Sequence, residues 1–188
     1  MRIDATTALE TVAVTVGDAL AGRGIRAVLT GGACAGIYSG GLYSSQDVDF
    51  VLEGRVTLST LDAVMASLGF SRRGNRYVHS ESPFWVEFPR GPLGVGADLD
   101  VRPVSLKSSH RETLALSPTD SCRDRLAAFF HWSDRQSLAV AVEIAFRNDV
   151  DLARIRRWSA AEDHAARFAE FERELDRRKQ GTSSRSPP

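Results

Sequence analysis

Cysteine is scarce in this chain, and its scarcity excludes two classes of protein. The 188 residues include only Cys34 and Cys122, which are far apart and form no Cys-x-x-Cys pair. A zinc site built on paired cysteines and a small domain held by several disulfides are therefore both excluded. We expect the two thiols to be buried, apolar residues of a protein from a reducing compartment.

The chain also lacks long apolar segments and an excess of either charge. No run reaches the length of a membrane span, and the first residues, MRIDATTALE, do not resemble a signal peptide. The chain has 24 Lys and Arg residues and 24 Asp and Glu residues. This balance argues against a protein that binds nucleic acid mainly through an overall positive charge, but it allows a local basic patch. We expect a cytoplasmic protein that makes no contact with a membrane.

Two patterns divide the sequence into an α/β part and a helical part. Before residue 117, helical periodicity alternates with short β-rich segments, one pair of which flanks the turn-forming Gly74-Asn75. From Pro118 onward the pattern is helical, and the Gly-, Ser- and Pro-rich end is predicted to be disordered. The sequence thus predicts an α+β fold with a domain over 1–116, a C-terminal helical region over 117–179 and a tail over 180–188. The predicted strands are 25–29, 47–52, 70–73, 76–79, 84–88 and 99–104.

The most informative pattern combines a glycine pair with two carboxylates. Gly31-Gly32 follows a β-rich run where a helix begins, a combination that exposes backbone N–H groups to an anion. Asp47 and Asp49, two residues apart in a predicted strand, point to the same face. Their repulsion favours a divalent cation such as Mg²⁺, which prefers oxygen ligands together with substrate phosphates. The pattern indicates chemistry on a nucleotide.

These residues resemble the signature of the nucleotidyltransferase superfamily of the DNA polymerase beta type. Leu29-Thr30-Gly31-Gly32 and Asp47-Val48-Asp49-Phe50 fill its positions, with Gly32 standing where many members carry serine. The resemblance implies a small mixed β-sheet with flanking helices. It also implies a third carboxylate on a later strand.

Two parts of the chain offer that third carboxylate. Glu87 lies in an otherwise apolar segment, where a carboxylate needs a partner, and we favour it for this reason. Asp98 and Asp100 alternate in a second predicted strand that could lie beside the first. They remain the alternatives.

The helical part resembles nucleotidyltransferases of the AbiEii toxin type. Ser117-Pro118-Thr119-Asp120 matches their helix start, and Arg125-Leu126-Ala127-Ala128 follows with arginine in the place of lysine. A later Arg-Asp segment corresponds to the region around Asp134. The resemblance implies a toxin–antitoxin or defence role, with Arg125 at the phosphates and with Ser45 and Asp134 as further nucleotide contacts.

The activity implied is metal-dependent transfer of a nucleoside monophosphate from a nucleoside triphosphate. Asp47, Asp49 and Glu87 would hold Mg²⁺ or Mn²⁺, and the glycine pair would approach the phosphates. The acceptor would be a hydroxyl of RNA, of a protein or of a small molecule. Two alternatives are a catalytically silent binding module, such as an antitoxin or a regulatory partner, and a helical nucleic-acid adaptor using the arginines of 154–157.

Overall fold

The computed structural model describes residues 3–106 and 112–183, and within them the fold is α+β, as the sequence predicts. The described helices are α1 Leu9–Ala21, α2 Gly31–Tyr38, α3 Leu58–Ser67, α4 Pro118–Trp132, α5 Arg135–Arg147, α6 Leu152–Ala161 and α7 Ala165–Ser183. The described strands are β1 Arg26–Thr30, β2 Asp47–Glu53, β3 Phe70–Arg73, β4 Arg76–His79, β5 Trp85–Glu87, β6 Val104–Ser105 and β7 Leu114–Ala115.

The strands form one mixed sheet in the order β3-β4-β5-β2-β1-β7-β6. Strands β2 and β5 pair in parallel, as do β1 and β7, while the other neighbouring pairs are antiparallel. At one edge, β3 and β4 form the predicted hairpin, in which Arg73 lies opposite Arg76 across Gly74-Asn75. Gly74 has a φ of 66°, a conformation that suits glycine at the first position of a two-residue hairpin turn.

Alternation along β2 separates a buried face from a polar one. Val48 and Phe50 are fully buried and pack in a core formed mainly by the sheet with α1 and α3. Asp47 and Asp49 therefore point to the opposite face. A second core lies among helices α4 to α7 and also includes Ala35 of α2. The helical part packs on the helix that begins at the glycine pair.

Three details differ from the sequence-based predictions. The predicted strand at 99–104 is wrong, because only Val104–Ser105 is a strand and residues 99–103 have no regular structure. Strand β7 was not predicted, because a two-residue strand has too short a pattern to recognise. Residues 180–183, predicted as part of a disordered tail, belong to α7, and residues 184–188 lie outside the described residues.

Other expectations agree with the structure or stay predictions. Cys34 and Cys122 are buried and unpaired, and burial raises the pKa of both thiols, that of Cys34 to about 12. No helix among the described residues is long and apolar enough to cross a membrane. The domain boundaries at 116 and 179 stay predictions.

Candidate active site

The centre of the site is a row of paired side chains on the polar face of the sheet. Asp49 of β2 lies opposite Glu87 of β5 on one side and opposite Thr30 of β1 on the other. Paired residues of neighbouring strands share a face, and the strands are about 4.8 Å apart. Asp47, two residues before Asp49, lies on that face one position along. The structure thus brings the three predicted carboxylates to one surface.

This crowding changes the acidity of Asp49. Burial, followed by the negative charges of Asp47, Glu87 and Asp124, raises the pKa of the Asp49 carboxyl to about 7. The positive charge of Arg125 opposes that rise but does not cancel it. The repulsion expected from the sequence is therefore present, with a larger contribution from burial. Four carboxylates and one guanidinium leave the site with an excess of negative charge.

The raised pKa of Asp49 predicts how stability depends on pH in EDTA, without divalent ions. An unfolded chain releases the Asp49 proton near pH 3.9, whereas the folded chain holds it until about pH 7. The folded state binds more protons in this window, so this group's contribution to stability falls as pH rises from about 4 to 7.

We therefore expect Asp49→Asn to be more stable than the natural chain at pH 8 and equally stable near pH 4. The full shift corresponds to about 4 kcal/mol, which solvent screening of the partly exposed carboxylate reduces to about 2 kcal/mol. Urea unfolding at both pH values measures the difference. A variant that is less stable than the natural chain at pH 8 contradicts the prediction.

Close approach of the backbone to the carboxylates explains the glycine pair. Gly31 begins α2 with a φ of 61°, and a Cβ there would lie 2.6 Å from Asp49 Oδ2. A Cβ on Gly32 would lie 2.7 Å from the Tyr43 ring and 2.8 Å from Ser45 Oγ. All three distances are shorter than van der Waals contact. Tyr43 and Ser45 thus leave no room for a side chain at position 32.

Ser45 orients one of the carboxylates. Its hydroxyl lies in a buried position and donates a hydrogen bond to Asp47 Oδ1. This contact places Ser45 next to the predicted metal ligands and beside Gly32. Its predicted contact with a nucleotide stays a prediction.

Arg125 is held by two residues that sequence reasoning did not identify. Its Nη2 and Nε atoms donate to Asp124 Oδ2 at 2.7 and 3.2 Å, and its guanidinium carbon lies 5.6 Å from the centre of the Tyr43 ring. Burial lowers the pKa of Arg125, but the Asp124 carboxylate outweighs that effect and the net pKa is raised. Arg125 is therefore a fixed, permanently charged group. The only sequence feature that points to Asp124 is its position directly before Arg125, the expected phosphate-binding residue.

Asp134 has a structural role at the start of α5. Its carboxylate accepts hydrogen bonds from the backbone N–H groups of Gln136 and Ser137 and from the Ser137 hydroxyl. These bonds, the Ser137 hydroxyl bond first, lower the pKa of Asp134 despite some desolvation. Helix capping accounts for this residue, and its predicted contact with a nucleotide stays a prediction.

The alternative third carboxylates have other partners. Asp98 accepts a hydrogen bond from Nη2 of the buried Arg123 at 2.5 Å, and Asp100 lies 3.7 Å from Arg102 Nε in an exposed pair. Neither stands in a strand beside β5. The strand register instead places Glu87 next to Asp49, which favours Glu87.

The carboxylates offer the oxygen ligands that magnesium prefers, but their side chains do not surround a single point. In the part of the chain that the structure describes, no three His, Cys, Asp or Glu side chains are grouped so that they could hold a metal ion. Asp47, for example, is engaged by Ser45. Their oxygen donors, negative excess and shared face fit a hard divalent ion. These residues therefore fit a site in which substrate phosphates supply some of the metal ligands better than a site in which the protein supplies all of them.

Comparison with known proteins supports the fold assignment. No protein-family model and no curated protein matches the chain. Among solved structures, it is similar to an antigenic nucleotidyltransferase-like protein from Paracoccidioides brasiliensis, with a TM-score of 0.55, 19% identity and coverage of 76% of each chain. It also matches the antibiotic-resistance factor ANT(2'')-Ia with a TM-score of 0.48 and 13% identity, over 92% of this chain and 97% of that one. The first of these similarities shows that the chain has a nucleotidyltransferase-like fold.

Proposed function

We propose that this protein is a metal-dependent nucleotidyltransferase that moves a nucleoside monophosphate from a nucleoside triphosphate to an acceptor hydroxyl. The register that pairs Asp49 with Glu87 beside the Gly31 backbone carries the proposal. It aligns carboxylates on one face beside a helix N-terminus at which phosphate can approach the backbone. A carboxylate cluster of this kind is costly without a cation.

Each residue of the site has a role in this reaction. Asp47, Asp49 and Glu87 would hold Mg²⁺ or Mn²⁺, which when bound neutralises the phosphates and activates the acceptor hydroxyl. The N–H groups at Gly31 and Gly32 bind the terminal phosphates, and Arg125 stabilises the negative charge of the leaving pyrophosphate.

The transfer exchanges one phosphorus–oxygen bond for another. The acceptor oxygen forms a bond to the α-phosphorus, and the bond between that phosphorus and the bridging oxygen to the β-phosphate breaks. Pyrophosphate leaves, and the hydroxyl proton passes to the Glu87 carboxylate and from there to water.

Asp124 and Tyr43 act as positioning residues because they hold Arg125 in place. As the cellular setting of this reaction we propose a toxin–antitoxin or defence system.

Equilibrium binding of a nucleoside triphosphate tests the proposal. We expect the nucleotide to bind in the presence of millimolar Mg²⁺, because carboxylates and substrate phosphates hold this ion jointly. The affinity should fall by at least about 10-fold in EDTA. Isothermal titration with each of the four nucleotides measures both states. Equal affinity with and without the metal would favour the catalytically silent binding module, and no binding of any nucleotide would contradict both functions.

A further inference from the structure

The carboxylate row continues into two arginines at the edge of the sheet. Glu87 lies opposite Arg76 of β4, and Arg76 lies opposite Arg73 of β3. Asp49, Glu87, Arg76 and Arg73 therefore form one row across four strands on a single face. At about 4.8 Å per strand, the backbones of the two arginines are about 5 and 10 Å beyond that of Glu87.

The two arginines lie directly opposite each other in the hairpin. Both are exposed, and like charges directly opposite in a hairpin destabilise it. Within residues 3–106 and 112–183, neither forms an ion pair. On the other face of the hairpin, in contrast, Arg72 donates to Asp62 at 3.1 Å. The repulsion between Arg73 and Arg76 would be relieved by an anion on the carboxylate face.

An aromatic ring lies beside the row of arginines and carboxylates. Trp85 shares the face of Glu87, two residues along β5, and pairs with Asp47. The guanidinium carbon of Arg76 lies 4.9 Å from the centre of the Trp85 ring. The indole Nε1 is buried, with no hydrogen-bond partner among the described residues. Guanidinium groups beside a partly exposed aromatic ring are the combination that binds single-stranded nucleic acid through phosphates and stacked bases.

We propose that Arg73, Arg76 and Trp85 form the acceptor site and that the acceptor is a single-stranded nucleic-acid end. The strand's phosphates lie at the two arginines, a base contacts Trp85, and the terminal hydroxyl reaches Glu87. This inference rests on the proposed transfer reaction and names its acceptor class. The other basic segment is less suitable, because Arg154 contacts Asp120 and Arg156 contacts Glu172.

Fluorescence anisotropy of the full chain with a labelled single-stranded RNA 10-mer tests the assignment. For the Arg73→Gln/Arg76→Gln double variant we expect at least about 10-fold weaker binding in 50 mM salt, with the slope of log K against log salt reduced by about 1.4, since each lost phosphate contact removes about 0.7. Trp85→Leu should weaken binding by about 5- to 100-fold and leave the slope unchanged, because stacking involves no counterion.

Arg157→Gln is the matched control, because Arg157 is also exposed and forms no ion pair in the described ranges. It should bind RNA like the natural chain. The double variant and Trp85→Leu should both keep the natural affinity for a nucleoside triphosphate with Mg²⁺. The double variant should unfold at or above the natural temperature, because it removes the repulsion between the two arginines. A natural chain that binds nucleotide but not RNA, or a double variant with unchanged affinity and slope, overturns the acceptor assignment and leaves the proposed transfer intact. Failure to bind any nucleotide overturns the proposed transfer itself. If RNA binding then still depends on Arg73 and Arg76, these residues bind nucleic acid but are not the acceptor site of a transfer reaction.

Discussion

We expect Asp49→Asn to abolish the proposed nucleotidyl transfer while the fold is retained. The substitution preserves the size of the side chain but removes the charge at the centre of the row, where Asp49 faces Glu87 and adjoins Gly31. A catalytic metal ion contributes several kcal/mol, and about 4 kcal/mol corresponds to about a 10³-fold change in rate. We therefore expect kcat/KM to fall by about 10³-fold or more. Pyrophosphate release measures the rate, and far-UV circular dichroism checks the fold.

Asp100→Asn is the control for this substitution. It makes the same chemical change at an exposed carboxylate, with 73% of the side chain accessible, outside the row. Its rate should equal that of the natural chain. Transfer by Asp49→Asn within about 3-fold of the natural rate, a difference of about 0.7 kcal/mol, contradicts a catalytic role for Asp49.

Arg123→Ala is expected to cause a large loss of stability. Arg123 is fully buried, and its Nη1 donates to the equally buried Asp120 at 2.8 Å. Its Nη2 reaches Asp98, and its guanidinium carbon lies 4.9 Å from the Trp158 ring. Removing one partner of a buried pair leaves an uncompensated charge and costs about 3–5 kcal/mol. Thermal unfolding should shift down by about 6–20 °C for a chain of this size.

Arg157→Ala is the control for the loss of an arginine side chain. It removes an exposed arginine from α6 and should change the free energy of unfolding by less than about 0.5 kcal/mol. Arg123→Lys should lie between the two, because it keeps the charge but loses the planar fork that reaches two carboxylates. A loss below about 1 kcal/mol for Arg123→Ala would mean that Arg154, which already lies 3.3 Å from Asp120, compensates the charge of Asp120 by itself.

Local patterns were sufficient to predict much of the fold and the position of the carboxylates. Alternation places Asp47 and Asp49 on one face whatever strand lies beside them, and Gly74-Asn75 specifies the hairpin that aligns Arg73 with Arg76. The helix start at Ser117 also follows from local chemistry. Its hydroxyl accepts from the Asp120 backbone N–H at 3.1 Å, as a capping serine does.

Other features depend on contacts between distant parts of the chain. The sequence does not reveal that β5 pairs in parallel with β2, which decides that Glu87 lies beside Asp49. Asp98 is paired with an arginine 25 residues away. This pairing argues against Asp98 as the third carboxylate, and no strand pattern in the sequence could show it. The sequence does not mark Asp124 as a site residue, because a charged residue on a helix is normally solvated. Only the packing of α4 beside the carboxylates makes it part of the site.

The fate of two isotopic labels tests the central claim most directly. The protein is incubated with Mg²⁺, a cell extract as the source of acceptor, and a nucleoside triphosphate labelled on either the α- or the γ-phosphorus. We predict that the α-label becomes attached to the acceptor and that the γ-label leaves as pyrophosphate, with neither event in EDTA or with Asp49→Asn. Attachment of the γ-label, or no attachment of the α-label above that seen with Asp49→Asn, would contradict nucleotidyl transfer at this site.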